Sequence, residues 1–270
     1  MAAAAALLAL AVDAAANSPN KLFPESDQVF HQLEADPRRI QLAASYYRLD
    51  GKDKSDIALG HSWGMLRWFT NNDYWTWQWN VEGMALSRFT IGGNLNSFET
   101  VDFVGNLPIA IRHRGFSARA MIFHESSHLG DDYIRTTGDQ GFRYSQEGLR
   151  GTLSIEPLYW TRIYAGGTYL LHSLPDPARE AAQFGLELTS KPVTRSAKYP
   201  LRFFAAQDFQ WKGATGWEAD SRSIAGVIMG FDGVPRSMRF YVGHFEGHSP
   251  FGQLYKRRER YNDVGISFHF

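Results

Sequence analysis

Apolar and polar side chains alternate along most of this chain with a period of two. The clearest run is WTWQWNVEGMALSRF, residues 75–89. Trp75, Trp77, Trp79, Val81 and Ala85 fall on one side, and Thr76, Gln78, Asn80, Glu82 and Arg88 on the other. Successive side chains of a strand point to opposite faces of a sheet, so this run predicts a strand with one apolar and one polar face. Comparable segments recur at about 38–49, 56–69, 75–89, 99–113, 116–128, 147–157, 160–172, 179–190, 198–209, 216–229, 237–247 and 261–270, which predicts twelve strands.

Alternation alone suits two architectures. A soluble sandwich buries the apolar faces in its core. A transmembrane barrel turns them to lipid and keeps residues such as Glu82, Arg88, Arg119, Arg162, Glu187 and Asp208 in a polar lumen. The even strand count and the strand lengths, which cross a bilayer when tilted, favour the second: an all-β, twelve-stranded antiparallel transmembrane β-barrel. No stretch after the N-terminus approaches the roughly 18 apolar residues of a membrane helix. The last ten residues, YNDVGISFHF, add an apolar and aromatic stripe from Tyr261, Val264, Ile266, Phe268 and Phe270. Trp75, Trp77 and Phe270 are expected near an aromatic girdle.

Three segments follow from this pattern. Residues 1–16, MAAAAALLALAVDAAA, read as a signal peptide, although the positive leading region is missing. Residues 17–37 read as a periplasmic lead-in, and residues 38–270 as the barrel. An even strand count puts both termini on the same side, expected to be the periplasm of a bacterial outer membrane. Outer-membrane lipid, lipopolysaccharide and the barrel assembly machinery are then the expected partners.

Composition removes several chemistries. Twenty-eight basic residues balance 28 acidic ones, so the chain shows no electrostatic footprint of a nucleic-acid partner. Cysteine is absent, which excludes thiolate nucleophiles, disulfides and thiolate metal sites. No phosphate-binding glycine loop or dinucleotide fingerprint is present.

The densest chemistry lies in FHESSHLGDD, residues 123–132. On the predicted strand, Ala118, Ala120, Ile122, His124, Ser126 and His128 share one face; Ser117, Arg119, Met121, Phe123, Glu125 and Ser127 share the other. The polar demands of Arg119, Glu125 and Ser127 direct the second set to the lumen, and His124 and Ser126 outward at the outer end. Residues i and i+2 on a strand lie a little under 7 Å apart, so this histidine can take the serine proton while the serine attacks an ester. A third group must hold the imidazole, with Glu147 first choice and Asp139 second. Tyr133 or backbone amides are candidate oxyanion donors.

A metal reading stays open beside it. His-Glu-Ser-Ser-His fits the helical His-Glu-x-x-His pattern, but on a strand His124 and His128 stand about 13 Å apart. Asp131, Asp132 and Asp139 offer hard oxygen ligands for calcium, with His128 as a further candidate metal ligand.

The closing strand, with its glycine, alternating aromatics and final Phe, resembles the C-terminal signal by which outer-membrane barrels are recognised for assembly. His124-Glu125-Ser126 resembles the His-x-Ser pair of outer-membrane phospholipase A and of the barrel lipid A 3-O-deacylases. In those families the histidine is base, the serine nucleophile, and an Asn or acidic residue on the following strand orients the histidine. Outer-membrane phospholipases use calcium, which the resemblance extends to this chain as an expectation. Those families usually carry Asn after the serine, where this chain has Ser127. A broader resemblance, carried by LEADPRRIQLAASYYRL, FHESSHLGDDY and the closing strand, is to an uncharacterised bacterial family of exported or outer-membrane proteins called domain of unknown function 1207. Three functions therefore remain: a pore or structural barrel, which ranks first, a serine hydrolase of lipid esters, and a metal-binding exported protein.

Overall fold

A computed structural model describes residues 21–24, 28–70, 74–92, 96–176, 178–193, 199–231 and 234–269. A two-residue strand, β1 (Lys21–Leu22), precedes twelve long ones: β2 (Leu42–Leu49), β3 (Lys52–Thr70), β4 (Trp75–Ile91), β5 (Ser97–His113), β6 (Phe116–Leu129), β7 (Tyr144–Leu158), β8 (Thr161–Leu174), β9 (Glu180–Thr189), β10 (Leu201–Lys212), β11 (Ala219–Phe231), β12 (Val234–His248) and β13 (Arg258–His269). Each of β2 to β12 pairs antiparallel with its successor, and β13 pairs back onto β2 from Asp263↔Tyr47 to Phe268↔Leu42. The result is a closed twelve-stranded antiparallel barrel of the transmembrane type. The first strand of the closed wall, β2, starts at Leu42, not near residue 38, because residues 28–40 are held inside the wall.

Local sequence explains the tight ends. Asp50 and Gly51, both at positive φ, form the two-residue link between Leu49 and Lys52. That conformation matches the strand twist and suits Asp-Gly. A helix, α1 (Asp131–Thr137), interrupts the loop between β6 and β7 and ends at Gly138, which sits at φ 73°.

Side-chain direction follows the alternation. On β4, Gln78, Asn80, Glu82, Met84, Leu86 and Arg88 are buried inward while Trp75, Trp77 and Trp79 face out. Arg119, Arg162, Glu187 and Asp208 are also buried in the interior, as expected. Outside, Leu107, Ile122, Leu149, Leu153, Phe184, Phe203, Phe240 and Val242 form an exposed apolar belt. Tyr261 departs from the expected outward stripe: it points in and stacks on Tyr47, with ring centroids 4.1 Å apart. It shares parity with Asp263, not with Val264, so the apolar stripe begins at Val264. Phe270 lies outside the described residues.

The core sits in the lumen, filled from both ends. Residues 28–40, most of which were expected in a lead-in, run inside the barrel. Val29, Phe30 and Leu33 pack with Ala110 and Tyr164, and Ile40 packs with Ala58, Met84 and Phe251. Their polar groups reach opposite walls. Gln32 donates to Glu82 at 3.2 Å, the Glu34 amide to Glu187 at 2.7 Å, and Arg39 to Ser267 at 3.0 Å. Arg38 pairs with Asp102 at 2.6 Å and Glu125 at 3.1 Å. From the other end, the loop between β12 and β13 folds inward and buries Phe251 and Leu254 completely or nearly so. The Arg38 guanidinium also donates to the Pro250 carbonyl, so the two insertions meet.

Candidate functional site

Strand β6 carries the candidate chemistry on its outer face. Phe116 to Leu129 is strand throughout, so the helical reading of His-Glu-Ser-Ser-His does not apply. Ser117, Arg119, Met121, Phe123, Glu125 and Ser127 are buried inward, which leaves Ile122, His124, Ser126 and His128 on the exterior.

Register then selects the partner of His124. Residue pairing across β6 and β7 puts His124 opposite Glu147, and Ser126 opposite Ser145. His124 Nδ1 lies 3.3 Å from Glu147 Oε1, with both side chains about half exposed. In the tautomer that donates from Nδ1, the carboxylate accepts and Nε2 keeps a free lone pair. Ser126 shares the face two residues on, but among the described residues no hydrogen bond joins it to His124. The structure thus brings His124 and Glu147 into contact, with Ser126 on the same face two residues along. Catalytic hydrogen bonds commonly tighten only when substrate binds.

The inward face of the same strand is locked. Glu125 takes the Arg38 guanidinium, and the Ser127 hydroxyl donates to Asp102 while accepting from the Gln253 amide at 2.9 Å. Asp102 also accepts from the Gly252 amide at 2.9 Å. Outward His124 and Ser126 therefore alternate with residues gripped by both lumen insertions. Sequence reasoning missed Arg38 in this setting, because nothing local marks a residue whose partner lies 64 positions away. It also left His172 unranked; a register shift beside Glu147 puts His172 opposite that carboxylate on β8.

The other candidates sit elsewhere. Asp139 accepts from the Gly141 amide at 2.9 Å and lies 3.7 Å from Arg257, so it closes the loop after α1 and does not hold His124. The Tyr133 ring is buried and its hydroxyl accepts from Arg257. Asp132 bonds Arg135 at 2.7 Å and the Phe98 amide at 3.3 Å, and these two contacts hold its carboxyl below the usual range. Asp131 is exposed at the start of α1, and His128 packs edge-on near Phe103 at 6.2 Å. Among the described residues no group of three or more His, Asp or Glu side chains could hold a metal ion. Of the expected calcium ligands, Asp132 and Asp139 are tied to other partners.

Known structures share the architecture. Outer membrane phospholipase A from Escherichia coli superposes with a TM-score of 0.59 at 10% identity, covering 87% of this chain and 93% of that one. An active-site mutant of the same enzyme gives 0.59 at 11% identity, covering 91% and 94%. The Salmonella typhi outer membrane phospholipase dimer with bound calcium gives 0.58 at 12%, covering 87% and 94%. At these identities the likeness is one of fold. No curated protein matches the chain. A family model does, over residues 4–270, and the chain belongs to that family, described as Protein of unknown function (DUF1207).

Proposed function

We propose that this chain is an outer-membrane serine hydrolase that cleaves ester-linked acyl chains of membrane lipid. The observation that carries the reading is the His124–Glu147 contact on the outward face beside Ser126. Ser126 Oγ attacks the ester carbonyl as its proton passes to His124 Nε2. The tetrahedral adduct collapses, His124 returns the proton to the leaving alcohol, and water releases the acyl chain by the same route. Glu147 steadies the imidazolium. An exterior site at the margin of the apolar belt meets lipid esters without admitting them to the lumen. The barrel is read as seated in the outer membrane with both termini in the periplasm. The phospholipases of the same fold lend this reading support.

The test is acyl release from phospholipid and from lipid A in mixed micelles, with and without calcium, by wild type and Ser126→Ala. Wild type is expected to release acyl chains, and the variant to lose at least about a thousandfold. A folded wild type that cleaves neither substrate class overturns the proposal. The filled lumen favours a second reading, a sealed structural barrel, and that is what such a result would leave.

A further inference from the structure

The barrel end at which β2 begins and β13 finishes opens into a cavity of about 760 Å³, within the size range of small-molecule sites. Its floor is the lumen segment at His31, Gln32 and Glu34, far along the wall from His124. The deep charges are matched: Arg162 pairs with Glu187 at 3.2 Å, Arg239 with Glu34 at 2.9 Å, and Glu156 with Arg112 at 2.5 Å. The remaining charges are all positive. Arg202 on β10 and Arg236 on β12 have no partner among the described residues, and Lys191 lies over the Tyr159 ring at 4.6 Å. Two further lining groups, His269 Nε2 and Thr161 Oγ1, are buried without a hydrogen-bond partner.

We infer that this mouth binds a phosphate-bearing organic anion. Guanidinium, ammonium and hydroxyl donors outnumber free acceptors here, and a phosphate presents enough oxygens to engage several of them at once. Self-balanced ion pairs beneath fix the walls and contribute no net charge, so the unmatched cations decide the sign of the ligand. A phosphate of this kind comes either from a soluble phosphomonoester or from a lipid headgroup at the near membrane surface. The site is independent of the hydrolase reading.

The test titrates full-length protein in zwitterionic micelles with sn-glycerol 3-phosphate, and in a second arm dopes the micelles with phosphatidylglycerol. Saturable binding at one site is expected in at least one arm, and the responding arm identifies the source. Arg202→Gln and Arg236→Gln should each weaken it about tenfold or more. Arg48→Gln removes the same charge at the opposite end of the barrel, where Arg48 donates to the Gly51 carbonyl, and should leave binding intact. Heat-dependent gel mobility checks that each variant is folded, and two separate arginine variants guard against one failing. No saturable binding in either arm, or equal loss in Arg48→Gln, overturns the inference.

Discussion

Replacing Arg38 by glutamine removes the cation that two buried carboxylates share. The side chains of Asp102 and Glu125 are 1% and 8% exposed, and Arg38 itself 12%. Removing one partner of a buried ion pair costs about 3–5 kcal/mol, because the surviving charge is left in a poorly polarisable interior. Asp102 retains the Ser127 hydroxyl and the Gly252 amide as donors, whereas among the described residues Arg38 is the one cation paired with Glu125. Partial compensation at Asp102 sets the expected loss at the lower end, about 3 kcal/mol, or roughly two decades in the folding constant. Urea titration of the barrel in lipid vesicles, followed by tryptophan fluorescence, reads it as a lower midpoint at unchanged slope. Adding Glu125→Gln to Arg38→Gln should recover at least about 1 kcal/mol, since the orphaned charge is then gone. Stability within about 0.5 kcal/mol of wild type for Arg38→Gln would refute the idea that the inserted segment is anchored through this pair.

Two other outcomes follow from the wall and its filling. The lumen insertions meet at Arg38 and Pro250, so wild type in planar bilayers should show no steady ionic conductance; a stable open level would contradict the sealed interior. Leu153 is 58% exposed in the apolar belt, and Leu153→Arg should destabilise the barrel by about 2–4 kcal/mol in vesicle refolding titrations, while an unchanged midpoint would place that position away from the hydrocarbon.

The wall was legible because a period of two is written into every strand. On β6 the demand of Arg119, Glu125 and Ser127 for a polar interior correctly turned His124 and Ser126 outward. Glu147 was reachable as a candidate since it lies on the next strand, but its placement opposite His124 depends on how α1 and its loop set the register. The lumen segment was opaque. Val29, Phe30 and Leu33 are spaced as on a helix face yet lie in neither helix nor strand, and Arg39 bonds a residue 228 positions away. Inward folding of the loop at Phe251 was hidden for the same reason: its run of glycine, proline and basic residues resembles an ordinary solvated loop until Arg88 is found stacked over the Phe251 ring at 4.4 Å.

The seam between β13 and β2 pairs over six residue positions, against seventeen between β3 and β4. Cooperative unzipping of an antiparallel ladder scales with the number of rungs, so this junction is the mechanical weak point of the cylinder. It is also where the lumen segment joins the wall through Gln41. A chain that closes there last can lay residues 28–40 into an open, curved sheet and then wrap around them, without threading a finished cylinder. The short seam thus turns the filling of the barrel from a problem of insertion into one of enclosure.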